Sequence, residues 1–108
     1  MATVYKVLGQ ANPAATTATT LYTVPAATSA VVSTLSIANL GVSTTYRVAV
    51  RPAGASLANQ HYLAYDVPLN ANDSVMLTLG VTLAATDVVT VYAGTANLAF
   101  SLFGSELT

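Results

Sequence analysis

The feature that most constrains the fold is an alternation of apolar and polar residues with a period of two. In residues 44–51, for example, Tyr46, Val48 and Val50 occupy every second position, and similar alternation recurs along the chain. Because successive side chains of a β-strand point to opposite faces, this pattern predicts strands with one buried face. No segment sustains the 3.6-residue period of an amphipathic helix. The sequence therefore predicts an all-β fold.

Gly, Pro, Asn and Asp residues divide the alternating pattern into about eight short segments. The predicted strands are residues 3–8, 20–24, 30–39, 44–51, 60–67, 74–79, 87–93 and 98–103. Short strands separated by turn residues at such intervals are typical of two-sheet β-sandwiches. We therefore predict that residues 1–108 form one domain, an antiparallel β-sandwich of the jelly-roll or immunoglobulin-like type.

The phase of the alternation predicts which residues are buried. In the third strand it places Val31 and Ser33 on the same face as Leu35, with Val32 on the opposite face. The residues expected in the core are Leu35, Ile37, Val48, Leu77, Val91 and Phe100.

Charged residues are unusually scarce. They make up 6% of the chain, where about 25% is typical of soluble domains, and the formal net charge is only −1. An isolated domain normally stays in solution through interspersed surface charge. Because burying an ionic group is costly, a chain that makes contacts on several sides gains from having few of them. We therefore expect much of the surface to be covered by neighbouring subunits.

A disordered chain or a membrane protein would fit this composition less well. The hydrophobic content of 54% is too high for a disordered chain. A membrane-spanning helix needs about 18 consecutive apolar residues, and polar residues or Gly interrupt each apolar stretch sooner. We predict no membrane span and, from the N-terminal residues, no signal peptide. Nucleic acid is not expected as a partner, since Lys and Arg are not clustered.

Catalytic chemistry finds little support in the sequence. Ser56, His61 and Asp66 are the residue types of a catalytic triad, but the odd separation of His61 and Asp66 would place them on opposite faces of one strand. One His, no Cys and four scattered acidic residues do not form a zinc-binding pattern. We predict a non-enzymatic protein without catalytic residues, cofactors or bound metal.

The candidate partner contacts are five residues at outward positions of the strands: Arg47, Ala49, Arg51, Thr90 and Phe103. Arg47 and Arg51 share one strand face and have two alternative uses: to hold an acidic group of a partner, or to pair with an acid of the same chain such as Asp66.

The tyrosines suggest a second kind of partner, a host glycan. In a regular strand, however, Tyr62 and Tyr65 would point to opposite faces, so they are not expected to form one stacking platform. Glycan binding is therefore a less favoured alternative.

Several segments give the chain a resemblance to the small β-sandwich structural proteins of tailed-bacteriophage virions. They are YKVLGQ (residues 5–10), LYTVPA (21–26), YRVAVRP (46–52), HYLAYD (61–66) and FGSE (103–106). Together they are spread over nearly the whole chain, but none of them is a chemical signature. The resemblance therefore implies no functional residue.

The resemblance implies a role and a location. Proteins of this kind are homo-oligomers of the tail, baseplate or fibre apparatus, or decoration proteins that cement the head surface. We therefore expect a virion component that is assembled in the host cytoplasm and contacts itself, as a trimer or higher cyclic oligomer, and other virion proteins. The tail apparatus is favoured over head decoration, because the only candidate for an extended arm, residues 10–19, is short.

Overall fold

The computed structural model describes residues 2–108 and contains eight β-strands and two single-turn 3₁₀ segments. The strands are β1 (Thr3–Ala11), β2 (Thr19–Thr23), β3 (Ser29–Asn39), β4 (Thr44–Arg51), β5 (Tyr62–Leu69), β6 (Ser74–Leu83), β7 (Val88–Ala93) and β8 (Leu98–Leu107). The 3₁₀ segments, Pro52–Gly54 and Asn59–His61, both lie in the connection between β4 and β5. The predicted number of strands, eight, agrees with this architecture.

The strands form two four-stranded antiparallel sheets. Sheet A has the order β1-β8-β3-β6 and sheet B the order β2-β7-β4-β5. Each strand of the first half of the chain therefore pairs with its counterpart in the second half: β1 with β8, β2 with β7, β3 with β6 and β4 with β5. This arrangement of two interleaved Greek keys is the jelly roll. The predicted β-sandwich is confirmed, and the topology decides between the two types left open by the sequence.

The core lies between the two sheets. Leu35, Ile37, Val48, Val91 and Phe100 are buried there, as predicted. Leu77 also faces the core but is only partly buried, because β6 is an edge strand of sheet A. Truncation of such close-packed side chains removes both apolar burial and dispersion contacts.

β-Bulges interrupt the alternation in sheet A, and one of them makes a prediction wrong. Between Val32 and Thr34 the register of β3 shifts against both of its neighbours, with Ser33 as the extra residue opposite β8. A bulge exchanges the faces of the residues that precede it. Val32 is consequently buried in the core, whereas Val31 and Ser33 are exposed on the outside of the sheet.

The strands also run further than the sequence predicted, because residues expected to end strands lie inside them. Gly80 lies at a bulge of β6, with a φ of 61° that suits glycine. Gly104 lies inside β8, where a Cβ atom would approach the carbonyl oxygen of Val31 to 2.0 Å. Pro68 lies in β5, an edge strand that tolerates a residue without an amide hydrogen.

Candidate functional site

The outer surface of sheet A, which we call face A, is the most open sheet surface of the molecule. The register of the four strands places a continuous set of outward side chains on it: Tyr5, Val7, Gln10, Val31, Thr34, Ser36, Ala38, Met76, Thr78, Thr82, Ala99, Ser101, Phe103 and Ser105. Tyr5 is 84% exposed, and Val7, Val31 and Met76 are also exposed. Phe103, a predicted partner contact, lies on this face opposite Val7 and Thr34.

Face A carries no charged side chain among the residues that the structure describes. The charged residues of β1 and β8, Lys6 and Glu106, face the other side of the sheet, where their side chains pair at 3.0 Å. Glu106 also accepts a short hydrogen bond from the hydroxyl of Tyr22 in sheet B. Glu106 therefore links the two sheets through Tyr22, and neither Lys6 nor Glu106 places its charge on face A.

The outer surface of sheet B is partly covered by the chain itself. Residues 52–61 lie against β4 and β7, and Arg51 secures this segment by donating hydrogen bonds to the carbonyl oxygens of Gly54 (3.4 Å) and Ala55 (3.1 Å). Arg51 also donates to the hydroxyl of Thr90 at 3.1 Å. Its polar contacts are therefore made within the chain.

Ala49 and Thr90 point outward from sheet B, as predicted, and the chain itself covers them, so that neither forms an open contact surface. They lie opposite each other on β4 and β7, but Ala49 is only 1% exposed and Thr90 only 6%. The physical reason is the covering segment together with the first residue of β5: Leu57 and Tyr62 line the same cleft as Ala49 and Thr90. Alternation predicts the direction of a side chain, but it does not predict a loop that folds back over the sheet.

Arg47 is the centre of a cluster on the uncovered part of this surface, the tyrosine–arginine cluster, which we define as Arg47, Tyr62, Tyr65, Asp66 and Tyr92. The guanidinium of Arg47 donates two hydrogen bonds to the carboxylate of Asp66, from Nε at 2.6 Å and from Nη2 at 3.2 Å. Its Cζ atom lies 4.2 Å from the ring centroids of both Tyr65 and Tyr92. The hydrogen bonds to Asp66 raise the pKa of Arg47 further above its ordinary value. Of the two predicted uses of Arg47, the structure therefore shows pairing within the chain.

Tyr62 and Tyr65 belong to one aromatic group, contrary to the prediction. Their ring centroids are 4.9 Å apart with an interplanar angle of 84°. β5 has an extra residue between Ala64 and Val67, where Asp66 adopts a left-handed conformation with a φ of 49°. The bulge that brings the two rings to one face is a second one: Tyr62 and Ala64 lie opposite the adjacent residues Ala49 and Val48, so Leu63 is an extra residue between them. The regular alternation that would have separated the two rings is lost at this point.

Two clefts adjoin at the tyrosine–arginine cluster and share Tyr62. The first has a volume of about 230 Å³ and is lined by Thr16, Ala18, Arg47, Ala49, Leu57, Tyr62, Thr90, Val91 and Tyr92. The second, of about 350 Å³, is lined by Asn59, Tyr62 and Tyr65. Concave surfaces with aromatic walls and a few polar groups are the usual setting of small-molecule sites.

The residues of the hypothetical triad have separate partners. The Nδ1 atom of His61 accepts a hydrogen bond from the backbone amide of Ala58 at 3.0 Å. Asp66 binds Arg47, and Ser56 is exposed in the connection between β4 and β5. The structure therefore does not bring these three side chains together in a hydrogen-bonded relay.

The candidate arm is bound to the body of the molecule. Its first two residues belong to β1. Asn12 donates to the carbonyl oxygens of Ala96 (3.0 Å) and Leu98 (2.7 Å), and the amide of Thr16 donates to Ala93 (2.8 Å). This segment is therefore bound to the end of β7 and the start of β8 and does not extend from the domain.

Comparison of the sequence with protein-family models and with curated protein sequences found no match. In the described part of the chain, no helix is long and apolar enough to cross a membrane. A functional assignment therefore depends on face A and on the tyrosine–arginine cluster.

Proposed function

We propose that this chain is a non-enzymatic structural component of a bacteriophage virion, a homo-oligomeric module of the tail, baseplate or fibre apparatus. The observation that carries the proposal is face A, a four-stranded surface without a charged residue among the described part of the chain. The resemblance of the sequence to small virion proteins supplies the biological setting.

The chemistry of face A favours contact with protein. Its polar groups are hydroxyls and amides, which lose less than ions do when water is removed, and its apolar groups gain from burial. Exposed apolar residues in one contiguous patch are typical of interaction sites. Tyr5, Val7, Val31 and Phe103 line a groove on this face, together with Lys6, Ser33, Gly104 and Ser105.

The area of face A is also suitable for a protein–protein interface. Four strands about 4.8 Å apart, each about ten residues long at about 3.3 Å per residue, give a surface of roughly 600 Å². A standard protein–protein interface buries about 800 Å² on each partner. Face A therefore supplies most of one interface, and residues on the sheet edges would complete it in a closed oligomer, for which we propose three copies.

The contacts of the arm candidate favour the tail apparatus over head decoration. A decoration protein that laces capsid subunits together needs a segment free to reach a neighbour. Within residues 2–108 the segment after β1 is held at Asn12 and Thr16 by hydrogen bonds to the same chain. Capsid decoration is therefore the second choice for the same assembly function.

Sedimentation velocity of the purified protein over a range of concentrations tests the proposal. We expect the wild type to sediment as an oligomer and the Thr34→Lys variant, with a charge at the centre of face A, to sediment as a folded monomer. Ala71→Lys, in the exposed turn between β5 and β6, is the matched control and should remain oligomeric. A wild type that stays monomeric at all concentrations, or a Thr34→Lys variant that assembles normally, would contradict the proposal.

A further inference from the structure

The tyrosine–arginine cluster is not used by the proposed assembly, since it lies on the opposite sheet from face A. Tyr65 is 55% exposed, and the cluster borders both clefts of the sheet B surface. We propose that this cluster is a binding site for a neutral pyranose sugar. Its charge, its polar groups and its rigidity all suit such a ligand.

The charge of the cluster selects against ionic ligands. The guanidinium of Arg47 is matched by the carboxylate of Asp66 in a two-bond contact, and the two charges cancel locally. A phosphate or carboxylate ligand would have to displace Asp66 before it could accept hydrogen bonds from the same two guanidinium nitrogens, Nε and Nη2 of Arg47. A neutral ligand faces no such competition.

The remaining groups around the clefts suit a polyol. Thr16, Asn59 and the hydroxyls of the tyrosines offer neutral donors and acceptors at the rims of the two clefts. A pyranose has hydroxyl groups at its edge and C–H groups on its faces. The hydroxyls can therefore pair with these side chains while a C–H face lies on the exposed ring of Tyr65.

The cluster is also held in place before any ligand arrives. Tyr65 packs on the guanidinium of Arg47 and meets Tyr62 edge to face, and Tyr92 also packs against the guanidinium. Asp66 fixes the guanidinium plane. Rings that are already ordered lose little side-chain entropy on binding, which raises the affinity that a small neutral ligand can reach.

Saturation-transfer NMR of the full chain tests this inference, with the methyl glycosides of glucose, galactose, mannose and N-acetylglucosamine as probes and sialyl-lactose as the acidic comparison. We expect saturation of at least one neutral glycoside, with the C–H face in contact. Tyr65→Ala should lower its affinity at least tenfold. Tyr65→Phe keeps the ring and should stay within a few fold of the wild type.

Controls separate this site from the rest of the molecule. Tyr5→Ala removes an even more exposed tyrosine, on face A, and should leave sugar binding unchanged, as should the assembly variant Thr34→Lys. Should Tyr65→Ala fail to fold, Asn59→Ala, an exposed position at the cleft mouth, should still weaken binding several-fold. The inference would be overturned if no neutral glycoside and no member of a broad array of neutral glycans bound. It would also be overturned if Tyr5→Ala lost as much sugar affinity as Tyr65→Ala, or if the acidic sugar bound more tightly than the neutral ones.

Discussion

The contact between Tyr22 and Glu106 predicts a specific loss of stability. Tyr22 belongs to sheet B and is buried, and its hydroxyl donates to the carboxylate of Glu106 in sheet A. A hydrogen bond to a charged group contributes about 1.5–3 kcal/mol. Tyr22→Phe removes only the hydroxyl and should therefore lower the free energy of unfolding by about 2 kcal/mol. For a domain of this size that corresponds to a decrease of about 8 °C in Tm.

The loss should depend on pH in a defined direction. The hydrogen bond from Tyr22, followed by that from Lys6, holds the pKa of Glu106 below its ordinary value of 4.5. A carboxyl group with a lowered folded pKa contributes stability that is fully present above its unfolded pKa and is lost as the pH falls through the folded value. The difference between wild type and Tyr22→Phe should therefore be largest at neutral pH and decrease below about pH 4.5.

Urea denaturation at several pH values measures both effects. Tyr46→Phe is the matched control, because Tyr46 is also buried in sheet B but its pKa is raised by burial alone, without a carboxylate partner. It should change stability much less and without the same pH dependence. If the loss in Tyr22→Phe were the same at about pH 3 and pH 7, or no larger than that of the control, the carboxylate would not be its source.

Two further variants test buried contacts. Asn39→Asp replaces an amide that donates to the carbonyl oxygens of Val42 (2.8 Å) and Asn70 (3.0 Å). Urea denaturation at neutral pH should show that the free energy of unfolding falls by about 3 kcal/mol or more. This loss should decrease on acidification, when the new carboxyl group becomes neutral. A loss that is independent of pH would contradict this. Gly104→Ala forces a Cβ atom against the carbonyl of Val31 and should lower stability by about 2 kcal/mol in thermal unfolding followed by circular dichroism. A Gly104→Ala variant that unfolds at the same temperature as the wild type would contradict it.

The sequence predicted the elements of this fold better than their faces. Alternation and turn residues located all eight strands, and the bounds of β4 agree completely with the prediction. The errors concentrate where an extra residue interrupts a strand, as at Ser33 and Gly80. Glycine marks both a turn and a bulge in sequence, because both use conformations or close approaches that suit it. Only the partner strand decides between them, and pairing partners are not visible in a single sequence.

The predictions for the candidate site residues also succeeded where the alternation is regular and failed where a bulge interrupts it. Phe103 points outward from its strand as predicted, because β8 keeps its regular alternation from Phe100 through Leu102 to this residue. The tyrosine–arginine cluster was missed, since it depends on the two bulges of β5, at Leu63 and next to Asp66. The pairing of Arg47 with Asp66 was one of the two uses predicted for this residue, but its stacking on two rings needed the register of three strands.

All seven charged residues of the chain have a structural role within it. Each of them makes at least one hydrogen bond within the chain: Lys6, Arg47, Arg51, Asp66, Asp73, Asp87 and Glu106. Asp87, for example, accepts from the backbone amides of Ala53 and Ala84 and so holds two loops together. The charged side chains of this chain therefore stabilise the sandwich and its loops. None of the seven lies on face A, where it would favour contact with water. A free monomer would gain from such charges, whereas a surface that is buried in an assembly would lose by them.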